Sequence, residues 1–272
     1  MDTGDLEGYS EPEAGENLDV GARGGDPGRF MAGGRFTILY EEGPVLAVNK
    51  DPGILTQAPE GIDSLEARVK SFLICREDKP GGCYLGIPHR LDRPASGVIV
   101  FTKHVRAANR LSEQFRGRLV EKKYWTVVSG KVPGEAGTWT DYMRKIPGRA
   151  EAELVPPIHP DAREAILNYK VMGRFSNVVE AGGDATWLEI ELETGRTHQI
   201  RLQAGSRGFP ILGDALYGSK VPFGPQSEDE RENAIALHSR ILSFTHPMTR
   251  ERVALVAPLR EPWRPFIPSD LI

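Results

Sequence analysis

The chain has 272 residues, 39% of them hydrophobic and 26% charged, which is enough apolar material for a full core. It holds no run of ~18 apolar residues that would cross a membrane. The N-terminus lacks the basic-then-apolar stretch of a secretion signal, so a cytoplasmic protein is expected.

The formal charge of −4 argues against a nucleic-acid partner only until it is located along the chain. Residues 1–33 carry eight acidic and two basic side chains, which leaves residues 34–272 at +2. The remaining body therefore has room for a local basic surface. Residues 1–33 are rich in Gly, Glu and Asp without apolar periodicity, and read as a disordered tail. Segments 36–40 and 45–50 read as two strands split by a Glu-Gly-Pro turn. Residues 64–74 predict a helix capped by Ser64, with Leu65, Val69, Phe72 and Leu73 on one face. Cys75 and Cys83 are the only cysteines and are expected to be free thiols in a reducing compartment.

Residues 79–82 read as a loop, residues 98–101 as a buried strand, and 105–116 as a helix with Val105, Ala108, Leu111 and Phe115 inward. Residues 124–128 form the next strand. Residues 141–164 contain Pro147, Pro156, Pro157 and Pro160 and are expected to be mostly loop. Strands follow at 165–171 and 186–192. A short helix is expected to start near Thr197, then an exposed loop over 221–233, and strands at 237–244 and 252–256. This order of elements implies an α+β fold: one domain over 34–266 and a short end at 267–272, with a largely antiparallel mixed sheet flanked by helices.

Three segments hold chemistry. The first is His89-Arg90-Leu91-Asp92-Arg93-Pro94-Ala95-Ser96-Gly97, a tight turn that sets a carboxylate among cations just before an apolar strand. Alone it equally fits a polar turn with a local Asp–Arg pair. The second is Val120-Glu121-Lys122-Lys123-Tyr124-Trp125, where strand alternation puts Lys122 and Tyr124 on one face; a lone strand Tyr is commonly core. The third is Thr194-Gly195-Arg196-Thr197-His198-Gln199-Ile200-Arg201, where Thr197 can cap a helix and Arg196 and Arg201 suit phosphate or carboxylate. A plain basic helix start reads the same way.

In this order, with Val48-Asn49-Lys50 upstream and Gly213-Asp214-x-x-Tyr217-Gly218 downstream, the segments resemble those of the RluA-type RNA pseudouridine synthases. Leu237-His238-Ser239 and Phe244-Thr245-His246-Pro247 extend the likeness, which covers about residues 36–258. Two positions depart from the family pattern. Lys50 is followed by Asp51-Pro52 rather than by proline directly, and Ala95 stands where a Thr is usual.

The resemblance implies a catalytic domain of pseudouridine synthase fold that isomerises uridine in ribosomal or transfer RNA. It implies Asp92 as nucleophile, either attacking C1′ or assisting a glycal route, with Arg201 as its charge partner and Tyr124 beside the uracil. Arg90 matches the residue that fills the gap left by a flipped-out base. His89, Lys50, Arg93, Arg196, His198 and Gln199 are expected to contact substrate. No cofactor or metal is expected for a redox-neutral isomerisation. RNA is the expected partner, no membrane is involved, and a monomer is assumed. Nothing resembling a small S4 RNA-binding domain precedes the segments. The rival chemistries lack their residues. There is no kinase Asp-Phe-Gly, no zinc spacing among Cys75, Cys83 and His89, and no Gly-x-Ser-x-Gly elbow.

Overall fold

The structure is a computed structural model and describes residues 35–78 and 81–271. The tail expectation for residues 1–33 and the first half of the 79–82 loop lie outside the described residues.

Strands β1 (Phe36–Glu42) and β2 (Val45–Lys50) form an antiparallel hairpin, as the two segments split by a Glu-Gly-Pro turn predict. Helix α1 (Leu65–Glu77) follows, its N-terminus capped by Ser64, whose hydroxyl accepts from the Ala67 N–H. Leu65, Val69 and Leu73 face the sheet, with Phe72 packed at the margin. Strand β3 (Ser96–Thr102) pairs with β2 along its length. Helix α2 (Val105–Arg116) buries Ala107, Ala108 and Leu111. Val105, expected inward, is instead 52% exposed, because the buried stripe centres on the paired alanines and leaves the first helical residue outside it.

Strands β2 and β3 are covered on both faces, and their sequences read as continuous apolar runs. Leu46, Val48, Ile99 and Phe101 enter the core under α1, while Val45, Ala47, Val98 and Val100 enter a second core with Leu111 of α2. Strands covered on both faces have no polar face to show.

Strands β4 (Glu121–Ser129), β5 (Ala136–Lys145), β6 (Ala152–Leu154), β7 (Arg163–Val178), β8 (Gly183–Leu192), β9 (Leu237–Thr245) and β10 (Arg252–Val256) complete one sheet of ten strands. Its order is β1-β2-β3-β9-β4-β8-β7-β5-β6, with β10 on β9. The expected α+β architecture is what forms. Every pairing is antiparallel except β3 with β9, which run parallel and touch only at Ser96–His238 and Gly97–Ser239. Gly97 has φ 115°, and a side chain there would collide with the Ser239 backbone, so the crossing requires glycine. This short contact sets the turn before β3 against the middle of the sheet, beside β4.

Part of the 141–164 region is strand rather than loop. Its prolines all fall between strands, in the β5–β6 and β6–β7 connections. Strand β5 was hidden because only Trp139 and Met143 of it are buried. Helix α3 (Gln199–Ser206) starts two residues later than expected. Its N-cap is His198, in the left-handed region at φ 53°, and no side chain of the Thr197 kind caps it. The domain also continues past residue 266: Ile267 is buried, and the Leu271 carbonyl accepts from Arg240 Nη2. Both cysteines are free.

Candidate active site

The turn before β3 is fixed from beneath. Leu91 is buried, its backbone N–H and carbonyl both bonded to the Thr56 hydroxyl at 3.1 and 2.9 Å. The Ala95 N–H donates to the Asp92 carbonyl and closes the turn. Lys50 enters from the end of β2, fully buried. Its ammonium donates to the carbonyls of Asp51 (3.0 Å), Asp92 (3.3 Å), Arg93 (3.1 Å) and Ala95 (2.7 Å). Burial pushes its pKa down to about 7, while Asp92 and Asp51 pull it back up. The expectation that Lys50 contacts substrate is therefore corrected: with no exposed surface it holds the turn and cannot reach RNA.

With its backbone held this way, Asp92 presents a carboxylate whose side chain is 27% exposed. Arg201 Nη1 of α3 lies 3.4 Å from Oδ2. The other guanidinium nitrogens are occupied: Nε and Nη2 grip Asp214 at 2.7 and 2.8 Å, a two-pronged bond between side chains only 5% and 1% exposed. Burial disfavours the charge on Arg201, but Asp214, Asp92 and Tyr217 outweigh it, and the guanidinium pKa rises further. The Tyr217 ring lies 5.2 Å from the guanidinium carbon, adding a cation–π contact.

Tyr217 also organises His198. Its hydroxyl oxygen accepts from the Ala152 N–H at 3.0 Å and pairs with His198 Nδ1 at 2.9 Å. His198 Nε2 lies 3.9 Å from Asp92 Oδ1. Burial lowers the His198 pKa and Arg201 adds to this, against Asp92, Asp214 and Glu151, so the ring is neutral at physiological pH. Tyr124 of β4 pairs with Ser239 of β9, which in turn sits against Gly97 at the end of the Asp92 turn. Burial first and Asp92 second raise its phenol pKa to about 12, with Ser239 pulling the other way. At neutral pH it is an uncharged phenol.

Asp92, Tyr124, His198 and Arg201 thus converge. The other expected contacts divide. Arg90 is exposed on the turn. Arg93 is half-buried, with Nε bonded to the Gly53 carbonyl at 2.9 Å. Arg196 is exposed, with Nε on the Glu164 carbonyl.

Gln199 is turned inward and is corrected as a substrate contact, while the partly buried His89 has its ring engaged within the fold. Gln199 is buried; its amide oxygen accepts from the Thr194 hydroxyl and Arg196 N–H, and its amide nitrogen donates to the Ile166 carbonyl. It ties the loop that carries His198. The His89 ring stacks on Phe115 at 4.5 Å, and its Nε2 accepts from the Val100 N–H, on the stretch of β3 that β9 leaves unpaired.

That inward placement has a pH consequence. Burial, aided by Lys122, lowers the His89 pKa to about 3. Burial also takes His238 to about 3, with Arg240 and Arg260 adding to it against a bond to the Ala257 carbonyl. The unfolded chain protonates both below about 6.5, whereas the folded chain resists until about 3. Their stabilisation is therefore complete above pH 6.5 and is lost as pH falls toward 3. We expect the urea midpoint to drop steadily from pH 7 to pH 4; a level midpoint over that range would contradict the buried neutral rings.

Asp214 and Tyr217 were visible in the sequence as a Gly-Asp-x-x-Tyr-Gly match without an assigned role. Nothing local to that segment shows that it meets α3. Among the described residues no cluster of three His, Cys, Asp or Glu side chains could hold a metal, and no helix is long and apolar enough to cross a membrane.

Residues 44–206 match the family model of RNA pseudouridylate synthase. The chain is 31% identical over 229 residues to an RNA pseudouridine synthase of Synechocystis, covering 82% of this chain and 65% of that protein. It is 32% identical over 233 residues to the ribosomal large subunit pseudouridine synthase D of Xanthomonas campestris, covering 83% and 66%. It thus spans just under two thirds of the length of these two relatives. The solved structure of human RNA pseudouridylate synthase domain containing 4 shares the fold, with a TM-score of 0.65 at 22% identity, over 84% of this chain and 92% of that one. A carboxylate turn facing a buried arginine, within a sheet of this order and a sequence match of this extent, places the chain in the RNA pseudouridylate synthase family.

Proposed function

We propose that the chain converts uridine to pseudouridine in large-subunit ribosomal RNA, with Asp92 as the nucleophile on a flipped-out nucleoside. The observation that carries this is the Asp92 carboxylate itself, partly open to solvent and 3.4 Å from a guanidinium that Asp214 holds in place. The ribosomal target follows from the similarity to the large-subunit pseudouridine synthase D of Xanthomonas.

Asp92 bonds to C1′ as the N1–C1′ bond breaks, and the electron pair leaves on the uracil. The freed base turns to present C5, the C5–C1′ bond forms, and the carboxylate is released. Loss of the C5 proton and gain of one at N1 complete the isomerisation, which needs no oxidant or reductant. Arg201 stabilises the carboxylate before attack and after release. Tyr124, an uncharged phenol at neutral pH, walls the uracil, a stacking contact worth about 1–3 kcal/mol. Arg90, exposed on the same turn, is the residue assigned here to fill the space that the extruded base vacates.

The test is to incubate the protein with unmodified large-subunit ribosomal RNA and map pseudouridines chemically. New pseudouridine at one or a few positions is expected. Modification of transfer RNA alone would change the substrate class, and modification of neither would end the reading.

A further inference from the structure

Beside the site, the ends of β5 and β7 and the loop before α3 enclose an open groove of about 380 Å³. Its lining includes Arg144, Lys145, Asp161, Arg163, Arg196 and Thr197: four cations against one carboxylate, on a chain whose net charge is −4. Arg144 is neutralised by Glu153 at 2.6 Å, with Asp161 at 3.9 Å. Lys145, Arg163 and Arg196 are exposed, and none has a carboxylate in salt-bridge range among the described residues. Arg163 and Arg196 are instead oriented by backbone carbonyls, Ala162 at 3.0 Å and Glu164 at 2.9 Å, which leave most of each guanidinium free.

Three exposed cations gathered in one groove repel each other and gain nothing for the fold, so a ligand anion is their natural counterpart. The groove lining has no aromatic ring on which a base could stack, so it suits a phosphodiester backbone. It also begins at the site. Thr197 lines it, and the next residue, His198, lies 3.9 Å from Asp92. The β5–β6 hairpin is tied to that histidine through the Tyr217 hydroxyl, which bonds both Ala152 and His198. The groove and the reactive carboxylate are therefore held in fixed register.

We infer that this groove carries the backbone of the RNA strand flanking the target uridine, with Lys145, Arg163 and Arg196 each neutralising a phosphate. The inference rests on the proposed function, because Asp92 marks where that uridine sits.

The test compares wild type, the double variant Lys145→Gln/Arg163→Gln, and Lys170→Gln as a control. Lys170 is exposed on β7, about 23 Å from Arg163 at ~3.3 Å per residue, well beyond the ~8 Å screening length of physiological salt. Binding to an unmodified large-subunit ribosomal RNA transcript is measured from 50 to 200 mM salt, together with the maximal rate at saturating RNA. Each lost phosphate contact removes about 0.7–0.9 from the slope of log K against log salt. The double variant is expected to lose about 1.5 of slope and to weaken binding by about tenfold or more at low salt, with its maximal rate retained. Lys170→Gln should match wild type. An unchanged slope in the double variant, or an equal loss in Lys170→Gln, would overturn the groove while leaving an active wild type as an intact pseudouridine synthase. A wild type that makes no pseudouridine, yet whose slope depends on the groove residues, would overturn the proposed function and keep the groove as an RNA surface.

Discussion

Replacing Asp92 by Asn is expected to abolish pseudouridine formation while RNA binding survives. The substitution keeps the shape of the side chain and one oxygen that can accept from Arg201 Nη1, now 3.4 Å away. The turn is held by Lys50 and Thr56 through backbone atoms, so it loses no support. Arg201 retains its two bonds to Asp214, so no buried charge is left alone. What disappears is the anionic oxygen proposed to bond to C1′. Loss of a nucleophile costs a rate factor on the order of 10⁴ or more. The check uses RNA tritiated at uridine C5, since that hydrogen is released when C5 becomes the glycosidic carbon, alongside filter binding of the same RNA. Wild-type release from Asp92→Asn would remove this residue from the chemistry. Loss of binding in parallel with release would make it a positioning residue instead.

The second large effect is expected at Asp214. Asp214→Ala leaves the Arg201 guanidinium buried, with Asp92 as its one carboxylate partner at 3.4 Å, where before it had a two-pronged bond. Stranding a buried charge in this way costs about 3–5 kcal/mol of stability. Asp214→Asn separates positioning from folding, because the amide oxygen can still accept one of the two bonds. Its stability loss should be smaller, and its turnover should fall by about tenfold or more, the worth of one charge-assisted hydrogen bond. RNA affinity should hold, because Asp214 is buried and touches no surface. Urea unfolding and single-turnover kinetics read the two effects separately. A wild-type unfolding midpoint in Asp214→Ala would mean that Arg201 does not depend on this partner. Arg201→Ala should likewise lower turnover more than affinity; a pure affinity defect would contradict its pairing with Asp92.

The sequence by itself determined the strands and helices that carry a strong apolar rhythm, the α+β class, and the segments that meet at the site. It did so because those features are local. Ser64 caps α1 from one residue away, and β2 and β3 show their burial as unbroken apolar runs. Asp92 and Tyr124 also sit in segments whose pattern is visible without the fold.

Tertiary structure decided what the polar residues of those same segments do. Lys50, His89 and Gln199 look in sequence like Arg90, Arg93 and Arg196: polar groups beside a motif. Side-chain chemistry does not say which way a residue points, and the three were decided by what was packed over them. Lys50 lies at the end of a doubly covered strand, where three carbonyls of a distant turn and that of the neighbouring Asp51 converge on its ammonium. His89 meets an unpaired stretch of β3, and Gln199 meets a loop that needed tying. Asp214 became part of the site only because the chain turns back after α3, into the short 3-10 turn Ala215–Tyr217, and returns its carboxylate to Arg201, thirteen residues earlier. The β5–β6 hairpin, which reads in sequence as proline-containing loop from residue 141 on, is held by the pairing of β5 with β7. A buried charge is stable only where partners from several parts of the chain coincide, and that coincidence is a property of the folded sheet rather than of any stretch of sequence.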